Sequence, residues 1–225
     1  MKIEENSMIK CCIFDLDGTL LNTLTTITYY INRTLVLHGL SVASEEEVCG
    51  YVGAGARNLV LRTLNARGIT DEKYIEEFLN IYSAAYDNEP DYLTEPYSGI
   101  PELLSKIKAS GIKVGVLSNK PDFATVSIVK KIFGGLVDIV HGGREGIALK
   151  PAPDAILALL SELGCERSEC VYVGDSEIDV KTGINAEIEN FVAVTWGFRT
   201  EEQLRAAGAV KFAKSTDELE KFIFI

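Results

Sequence analysis

The first motif whose residues could carry out chemistry is Asp15-Leu16-Asp17-Gly18-Thr19, in which one residue separates two acidic side chains. In an extended backbone, side chains two residues apart point to the same side, so Asp15 and Asp17 can face one spot. Gly18 allows a sharp turn and a close approach of the backbone to a ligand. A strand followed by an Asx turn would give the same short pattern, so the motif needs support from elsewhere in the chain.

A second acidic motif, GDSEID at 174–179, follows an apolar run and precedes a helical segment. Asp175 and Asp179 are four residues apart and can share one face of a helix. An acidic residue at a helix start is also common as a cap, so this motif alone is ambiguous.

Together the acidic residues predict a metal site. Carboxylates that converge at one point repel one another and take up protons unless a cation lies among them. Donors that are all oxygen favour a hard ion such as Mg²⁺, which keeps waters and accepts a phosphate oxygen. We expect Asp15 and Asp175 as side-chain ligands and the backbone carbonyl of Asp17 as a third. Asp179 would bind directly or through water.

Two further polar positions suit a phosphate group. Lys150 precedes a Pro-Ala-Pro segment that holds the backbone extended before a helix. An ammonium fixed in this way is a suitable point charge for a buried phosphate. Ser118 and Asn119 follow an apolar run and offer a hydroxyl and backbone N–H groups. In isolation these would be a surface lysine and a capping pair.

Short apolar runs predict five buried strands, at 8–14, 113–117, 137–140, 170–173 and 191–195. Helical segments that start at proline and stop before glycine, 101–109 and 153–163, lie between the later runs. This alternation implies parallel βαβ units with right-handed crossovers. Such sheets bind ligands beyond the carboxyl ends of their strands, which is where the polar positions above lie.

The segment 22–92 breaks the rhythm of strand and helix. Its apolar residues recur at helical spacing, and no strand-like run interrupts them. A junction rich in proline and glycine, EPYSG at 95–99, marks the return to the sheet. We therefore predict an α/β core formed by residues 1–21 and 93–225, with a helical cap inserted at 22–92.

The composition of the chain limits the kinds of partner that we expect it to bind. The 225 residues carry a formal net charge of −11, and no Lys/Arg stripe offsets it, so we expect no nucleic-acid surface. No apolar stretch approaches the roughly 18 residues of a membrane span, so we expect no membrane contact. Five cysteines without a CxxC pair, and no recognisable signal peptide, favour a cytoplasmic protein with reduced thiols. We expect a monomer or homodimer.

The chain resembles the haloacid dehalogenase superfamily over nearly its whole length. Four motifs carry the resemblance in the order of that family: DLDGTL at 15–20, Ser118 at a strand end, Lys150 before its helix, and GDSEID at 174–179. The resemblance implies a Rossmann-like parallel sheet with a helical cap of the first type inserted after the first motif.

The resemblance also implies roles for these residues. Asp15 would be the nucleophile that forms an aspartyl phosphate, and Asp17 the general acid and base. Ser118 and Lys150 would hold the phosphate. Asp15 and Asp175, with Asp179 as a further candidate, would place Mg²⁺.

Within the superfamily, PYSG at 96–99, GDSEID and WGFR at 196–199 are most similar to phosphoglycolate phosphatases. The favoured substrate is therefore a small-molecule phosphate ester, 2-phosphoglycolate. A pyrophosphatase, a sugar-phosphate phosphatase and a phosphomutase of the β-phosphoglucomutase kind remain alternatives. A non-catalytic binding protein is disfavoured because the aspartates and Lys150 are all present.

A substrate carboxylate would need a basic group on the cap side. Arg57 follows Gly-Ala-Gly-Ala at 53–56, at a predicted helix start where backbone N–H groups could assist. We expect Arg57 to face the active site and bind that carboxylate. The other basic residues of segment 22–92 lie within or after helical stretches: Arg33, Arg62, Arg67 and Lys73.

Overall fold

The structure is a computed structural model that describes residues 8–224. Eight strands form within these residues: β1 (Cys11–Phe14), β2 (Leu21–Asn22), β3 (Glu95–Pro96), β4 (Lys113–Pro121), β5 (Ile139–Gly143), β6 (Cys170–Gly174), β7 (Phe191–Val194) and β8 (Phe212–Ala213). Six of them form one sheet in the order β5-β4-β1-β6-β7-β8, with every neighbouring pair parallel. The predicted α/β class with a parallel sheet is confirmed.

Helices connect the strands of this sheet and lie against its faces. The described residues form ten α-helices: α1 (Leu24–Leu37), α2 (Glu45–Tyr51), α3 (Ala56–Asn65), α4 (Glu72–Asn88), α5 (Ile100–Ala109), α6 (Asp122–Phe133), α7 (Asp154–Leu163), α8 (Glu177–Asn185), α9 (Glu201–Ala206) and α10 (Thr216–Ile223).

Strand β1 is the centre of the sheet and is buried along its whole length. Its side chains alternate between two hydrophobic clusters. Cys12 and Phe14 belong to the cluster on one face, whereas Cys11 and Ile13 belong to the cluster on the other. A parallel strand covered on both faces is expected to be apolar throughout, as this one is. The residues that follow β1 therefore emerge at the middle of the carboxyl edge, where such sheets bind ligands.

Helices α1 to α4 follow one another without a strand between them, and we call them the helical insertion. They enclose a hydrophobic cluster of their own, which includes Ile31, Leu64 and Phe78. Strands β2 and β3 pair antiparallel at its base, with Leu21 opposite Pro96. The chain therefore leaves and re-enters the sheet layer side by side.

Several strands differ from the prediction. Strand β1 begins at Cys11 rather than at residue 8, and the two-residue strands β2 and β3 were not predicted. Strand β5 runs over Ile139–Gly143 rather than 137–140, and its last two residues are glycines. A Cβ on Gly142 would lie 2.4 Å from the Cα of Asp122, so the close approach of α6 requires glycine there. Strand β4 extends beyond its apolar run to Pro121. Strand β8 has only two residues and no apolar run to announce it.

None of the helices in residues 8–224 combines the length and the apolar character that crossing a membrane requires. The five cysteines are free thiols, and Cys11, Cys12 and Cys170 are buried. Burial raises the pKa of the Cys12 thiol well above its ordinary value. These thiols therefore act as small apolar side chains within the sheet.

Candidate active site

The first acidic motif begins where β1 ends. The backbone N–H of Asp15 donates a hydrogen bond of 2.9 Å to the carbonyl of Val173, so strand pairing continues up to this buried acid. The chain then turns at Gly18, whose φ is +92°. A Cβ at this position would lie 2.3 Å from Asp175 Oδ2. Only glycine lets the turn pass so close to the second acidic motif.

Three carboxylates meet at this edge of the sheet. One oxygen of each of Asp15, Asp175 and Asp179 lies within 4.8 Å of the others, and all three side chains are buried. Thr19 Oγ1 donates to Asp175 Oδ1 over 3.2 Å, and the backbone N–H of Phe198 donates to Oδ2 over 2.7 Å. Asp175 is thus held by two loops as well as by its own strand end.

Crowding changes the proton affinity of these acids. Burial, followed by the charge of Asp179, raises the pKa of Asp175 to about 7. Burial also raises the pKa of Asp15 well above its ordinary value, with Lys150 opposing the shift and the other two acids adding to it. Burial alone would raise the pKa of Asp179, but Lys150, Ser176 and Tyr172 stabilise its charged form and lower it. A cation bound among these carboxylates would oppose the upward shifts in the pKa of Asp15 and Asp175.

Lys150 lies inside this acidic cluster. Its Nζ donates to Asp15 Oδ1 over 2.5 Å, to Asp179 Oδ1 over 2.7 Å and to the Leu117 carbonyl over 3.2 Å. An ammonium has three donors, so all of them are in use. Opposing its burial, Asp15 and Asp179 raise the pKa of Lys150, which keeps the ammonium charged.

Asp179 uses both of its carboxylate oxygens on the protein. Oδ1 accepts from Lys150 and from the Tyr172 hydroxyl at 2.7 Å, and Oδ2 accepts from the Ser176 hydroxyl at 2.5 Å and from the Ser176 N–H at 3.2 Å. Of the two expected modes, direct or through water, this arrangement favours the water-mediated one. The residue fixes Lys150 in place.

Ser118 and Asn119 lie at the same edge, on β4. Ser118 is buried and its Oγ accepts from the Lys120 N–H over 3.1 Å. The Asn119 amide accepts from the Lys150 N–H at 2.8 Å and donates to the Lys150 carbonyl at 2.9 Å. The Asn119 side chain therefore clamps the backbone of Lys150, and it also donates to the Gly53 carbonyl at 3.1 Å.

Arg57 differs from its predicted position. It lies in the first turn of α3, but its guanidinium points to α4, with Nη2 2.8 Å from Glu72 and Nε 3.0 Å from Glu76. About half of its side chain is exposed, and it does not line the cavity described below. The two glycines correctly indicated the start of a helix. The contacts of Arg57 depend instead on the acidic residues of the neighbouring helix α4.

Lys120 is a site residue that the motifs did not identify. Its side chain is 7% exposed, and its Nζ lies 2.9 Å from Asp17 Oδ1 and 2.8 Å from the hydroxyl of Tyr86 on α4. Opposing its burial, Asp17 and Tyr86 raise the pKa of Lys120 above its ordinary value. Simple strand alternation could not have indicated it, because the register of β4 against β5 shifts between Leu117 and Pro121.

Arg199 ends the WGFR motif at 196–199, but no role was predicted for it from the sequence. Its buried guanidinium donates to the carbonyls of Cys49 and Val52, at the end of α2, and to Glu177 on α8. A cation suits the carbonyl end of a helix. Arg199 therefore joins the helical insertion to the helix that carries Asp179. These contacts are tertiary and leave no local sequence signal.

A small cavity lies between the sheet edge and the helical insertion, with a volume of about 80 Å³. The aspartates, Ser118 and the two lysines line its polar side. The insertion covers the opposite side with Ile27, Val52, Leu59, Tyr82, Tyr86 and Asp87. The buried carboxylate of Asp15, the fixed ammonium of Lys150 and a second acid, Asp17, thus face one cavity.

Comparison with known proteins assigns the family. Residues 12–194 match the family model for haloacid dehalogenase-like hydrolases, which covers most of the chain and all the acidic motifs. This chain belongs to that family. The resemblance found in the four motifs is therefore confirmed.

Proteins similar to this haloacid dehalogenase-like hydrolase align with most of its chain. A phosphoglycolate phosphatase of Rhodospirillum rubrum is 34% identical over 211 residues, covering 90% of this chain and 86% of the relative. An N-acetylmuramic acid 6-phosphate phosphatase of Pseudomonas aeruginosa is 31% identical over 196 residues, covering 84% and 83%. A crystal structure from Lactobacillus delbrueckii subsp. bulgaricus, provisionally assigned as a phosphoglycolate phosphatase, superposes with a TM-score of 0.91 at 30% identity, covering 96% and 99%.

The acidic cluster of this hydrolase fits a divalent cation. Its donors are carboxylate oxygens, and burial together with the neighbouring acids raises the pKa of Asp15 and of Asp175, a shift that a bound cation would oppose. Hard cations prefer such oxygen donors. Asp179 has both of its oxygens hydrogen-bonded within the protein, which leaves Asp15 and Asp175 as the side chains better placed to bind the ion.

Proposed function

We propose that this protein is a Mg²⁺-dependent phosphatase that hydrolyses a small phosphate monoester through an aspartyl phosphate on Asp15, with 2-phosphoglycolate as the favoured substrate. The observation that carries the proposal is the 2.5 Å contact between Lys150 Nζ and Asp15 Oδ1 inside a buried carboxylate cluster. A fixed cation beside a carboxylate nucleophile is what phosphoryl transfer to an aspartate needs, because catalysis there is mainly positioning and charge stabilisation.

In the first step, a carboxylate oxygen of Asp15 attacks phosphorus and the bond from phosphorus to the ester oxygen breaks. Lys150 holds the phosphoryl oxygens as a point charge, and Ser118 offers its hydroxyl. Covalent capture divides one difficult displacement into two easier ones. Asp179, Tyr172 and Asn119 keep the ammonium in place while the charge on the phosphoryl group moves.

Asp17 supplies and removes the protons. It lies two residues beyond the nucleophile and lines the same cavity. It protonates the departing alkoxide in the first step and accepts a proton from water in the second, when water attacks phosphorus and releases phosphate from Asp15.

Bound Mg²⁺ supplies positive charge to the phosphoryl oxygens and keeps the nucleophile ionised. Asp15 and Asp175 are the side chains that would hold it, with the backbone carbonyl of Asp17 as a third donor. Thr19 and the Phe198 N–H orient Asp175 for this purpose, at 3.2 and 2.7 Å.

The size of the cavity supports a small substrate. Its volume of about 80 Å³ lies well below the roughly 300 Å³ at which pockets for larger ligands begin. Relatives named phosphoglycolate phosphatase support the same choice. A sugar-phosphate phosphatase is the second candidate, because a relative at 31% identity is named for a sugar phosphate.

A phosphate-release assay over a metabolite panel tests the proposal. The panel contains 2-phosphoglycolate, N-acetylmuramic acid 6-phosphate, pyrophosphate and β-glucose 1-phosphate, each with Mg²⁺, with excess chelator and with Ca²⁺. We expect release from 2-phosphoglycolate that is lost in chelator, regained with Mg²⁺ and poor with Ca²⁺, whose larger and looser coordination misplaces the carboxylate. Full activity in excess chelator would overturn the metal assignment, and isomerisation of the glucose ester without phosphate release would favour a mutase.

A further inference from the structure

Among the described residues, three cationic side chains line the cavity: Lys120, Lys150 and Arg199. Two of them are already engaged elsewhere. Lys150 lies against the proposed nucleophile Asp15 and is assigned to the phosphoryl group in the proposed function. The guanidinium of Arg199 binds Glu177 and backbone carbonyls with all three of its nitrogens.

Lys120 is different. Its ammonium donates one hydrogen bond, to the Tyr86 hydroxyl, and lies 2.9 Å from Asp17 Oδ1 in an ion pair. Three donors are available on an ammonium, so these two contacts leave at least one for a ligand. The Nζ also lies 4.7 Å from the centroid of the Tyr86 ring, whose face stabilises a cation. The ammonium of Lys120 is therefore fixed in position and still has a donor for a ligand.

The position of Lys120 indicates what it binds. In the proposed reaction Asp17 protonates the ester oxygen, so an ammonium beside Asp17 lies next to the leaving group and not next to the phosphoryl group. From bond lengths of about 1.4–1.5 Å, a carboxylate one carbon beyond the ester oxygen has its own oxygens roughly 3–4 Å from that oxygen. Such a carboxylate can reach the ammonium of Lys120.

Because the surrounding residues are acidic, binding of an anionic leaving group depends on this ammonium. Five aspartates line the cavity: Asp15, Asp17, Asp87, Asp175 and Asp179. An anionic leaving group would be repelled by them unless a cation lay beside it. The cation first expected for this purpose, Arg57, is bound to Glu72 and Glu76 outside the cavity.

We propose that Lys120 is the specificity residue that recognises a leaving group carrying a carboxylate next to the ester oxygen, and that Tyr86 on the helical insertion orients its ammonium. The inference rests on the proposed phosphatase function and assigns its substrate class. Residues from β4 and α4 meet at this contact, so the leaving-group pocket is complete only when the insertion lies against the sheet.

Two esters of nearly equal shape test the inference. 2-Phosphoglycolate carries a carboxylate beside the ester carbon, whereas 2-hydroxyethyl phosphate carries an alcohol at the same place. The measured quantity is the ratio of their kcat/KM values with saturating Mg²⁺. We expect the wild-type protein to prefer the carboxylate, and Lys120→Met to lower the ratio by about tenfold to a hundredfold, the worth of one charge-assisted hydrogen bond. The ratio separates recognition from any effect on Asp17, which both substrates share.

Three further variants sharpen the test. Lys120→Arg keeps a cation and should recover part of the ratio. Lys120→Gln keeps a hydrogen-bond donor without charge and serves if the methionine variant fails to fold; it should also lose the preference. Arg57→Met removes a cation from the exposed surface of the insertion, and its ratio should match that of the wild type.

Competitive inhibition by glycolate gives an independent readout. Its inhibition constant should rise at least about tenfold in the Lys120→Met and Lys120→Gln variants. Equal losses on both esters, or a wild-type ratio near one, would overturn the inference and leave Lys120 as a support for Asp17. If the wild-type protein hydrolyses neither ester, the proposed function falls, and this inference falls with it.

Discussion

The two sides of the cavity are built in different ways. On the sheet side, Lys150 is surrounded by three acceptors that come from the end of β1, from β4 and from α8. On the insertion side, Lys120 shares its contacts between Asp17 of the core and Tyr86 of α4. The first lysine is positioned by acceptors that do not belong to the insertion. The second depends on how the insertion packs, so the proposed chemistry common to all esters and the proposed selection of one ester rest on different lysines.

Removing the nucleophile should have the largest effect. We expect Asp15→Asn to lower kcat by more than about 1000-fold for every ester, since an amide cannot form the aspartyl phosphate and loss of a covalent nucleophile can cost far more. Phosphate release under saturating substrate measures it. Asp217→Asn, an exposed position on α10, is the matched control. Turnover within tenfold of the wild type would contradict a covalent mechanism.

The comparison of the two lysines is sharpened by Lys150→Met. Loss of a cation that holds the phosphoryl oxygens should lower kcat/KM by about 100-fold to 1000-fold, the range seen when one transition-state donor is removed. The loss should be equal for 2-phosphoglycolate and 2-hydroxyethyl phosphate, unlike that of Lys120→Met. A loss that depends on the leaving group would show that the two sides of the cavity are not separate.

Stability of the metal-free protein should fall as the pH rises. In the folded state Asp175 has a pKa of about 7 instead of 3.8. Between these values the folded state holds a proton that the unfolded state has lost. The contribution is therefore complete below about pH 4 and disappears by about pH 7, a change of roughly 4 kcal/mol. Asp15 adds a slope of the same sign, because its pKa is also raised.

Chemical denaturation from pH 4 to 8 in chelator measures this slope. Asp175→Asn should reduce it and should stabilise the metal-free protein at neutral pH. Added Mg²⁺ should stabilise the wild type more than the variant. A wild-type stability that rises with pH across this window, without metal, would contradict the electrostatic account of the cluster.

The smallest effect is expected at Arg57. Its two ion pairs are with half-exposed or exposed glutamates, and such surface pairs contribute about 1 kcal/mol or less. Arg57→Ala should shift the free energy of unfolding by no more than this and leave kcat/KM for 2-phosphoglycolate within about twofold of the wild type. A selective tenfold loss on the carboxylate ester would return Arg57 to the substrate site.

Local sequence was sufficient to predict those candidate site residues that lie at the ends of strands. The apolar run before Asp15 predicted a buried strand, and the run before Asp175 predicted another; the structure shows them as the neighbours β1 and β6. Parallel order then placed both acids at one edge. Lys150 was found because prolines fix the backbone beside it. In each of these places a short segment carries both the structure and the chemical group.

Local sequence was insufficient where separate segments meet. The partner of Lys120 is a tyrosine 34 positions earlier, and the partners of Arg57 lie 15 and 19 positions later on another helix. Strand β5 ends in glycines required by its approach to α6, which an apolar run does not reveal. Side-chain direction at these places is set by tertiary packing, so patterns of type and spacing do not determine it.

The central claim is that Asp15 becomes phosphorylated during turnover, and direct detection of that intermediate tests it best. The wild-type protein with Mg²⁺ and 2-phosphoglycolate is quenched in acid within the first turnover and digested, and its peptides are analysed by mass spectrometry. We predict one phosphoryl group on the peptide that contains Asp15, removed by hydroxylamine and absent from Asp15→Asn. A phosphoryl group on a different residue, or continued phosphate release by the Asp15→Asn variant at a wild-type rate, would contradict the account.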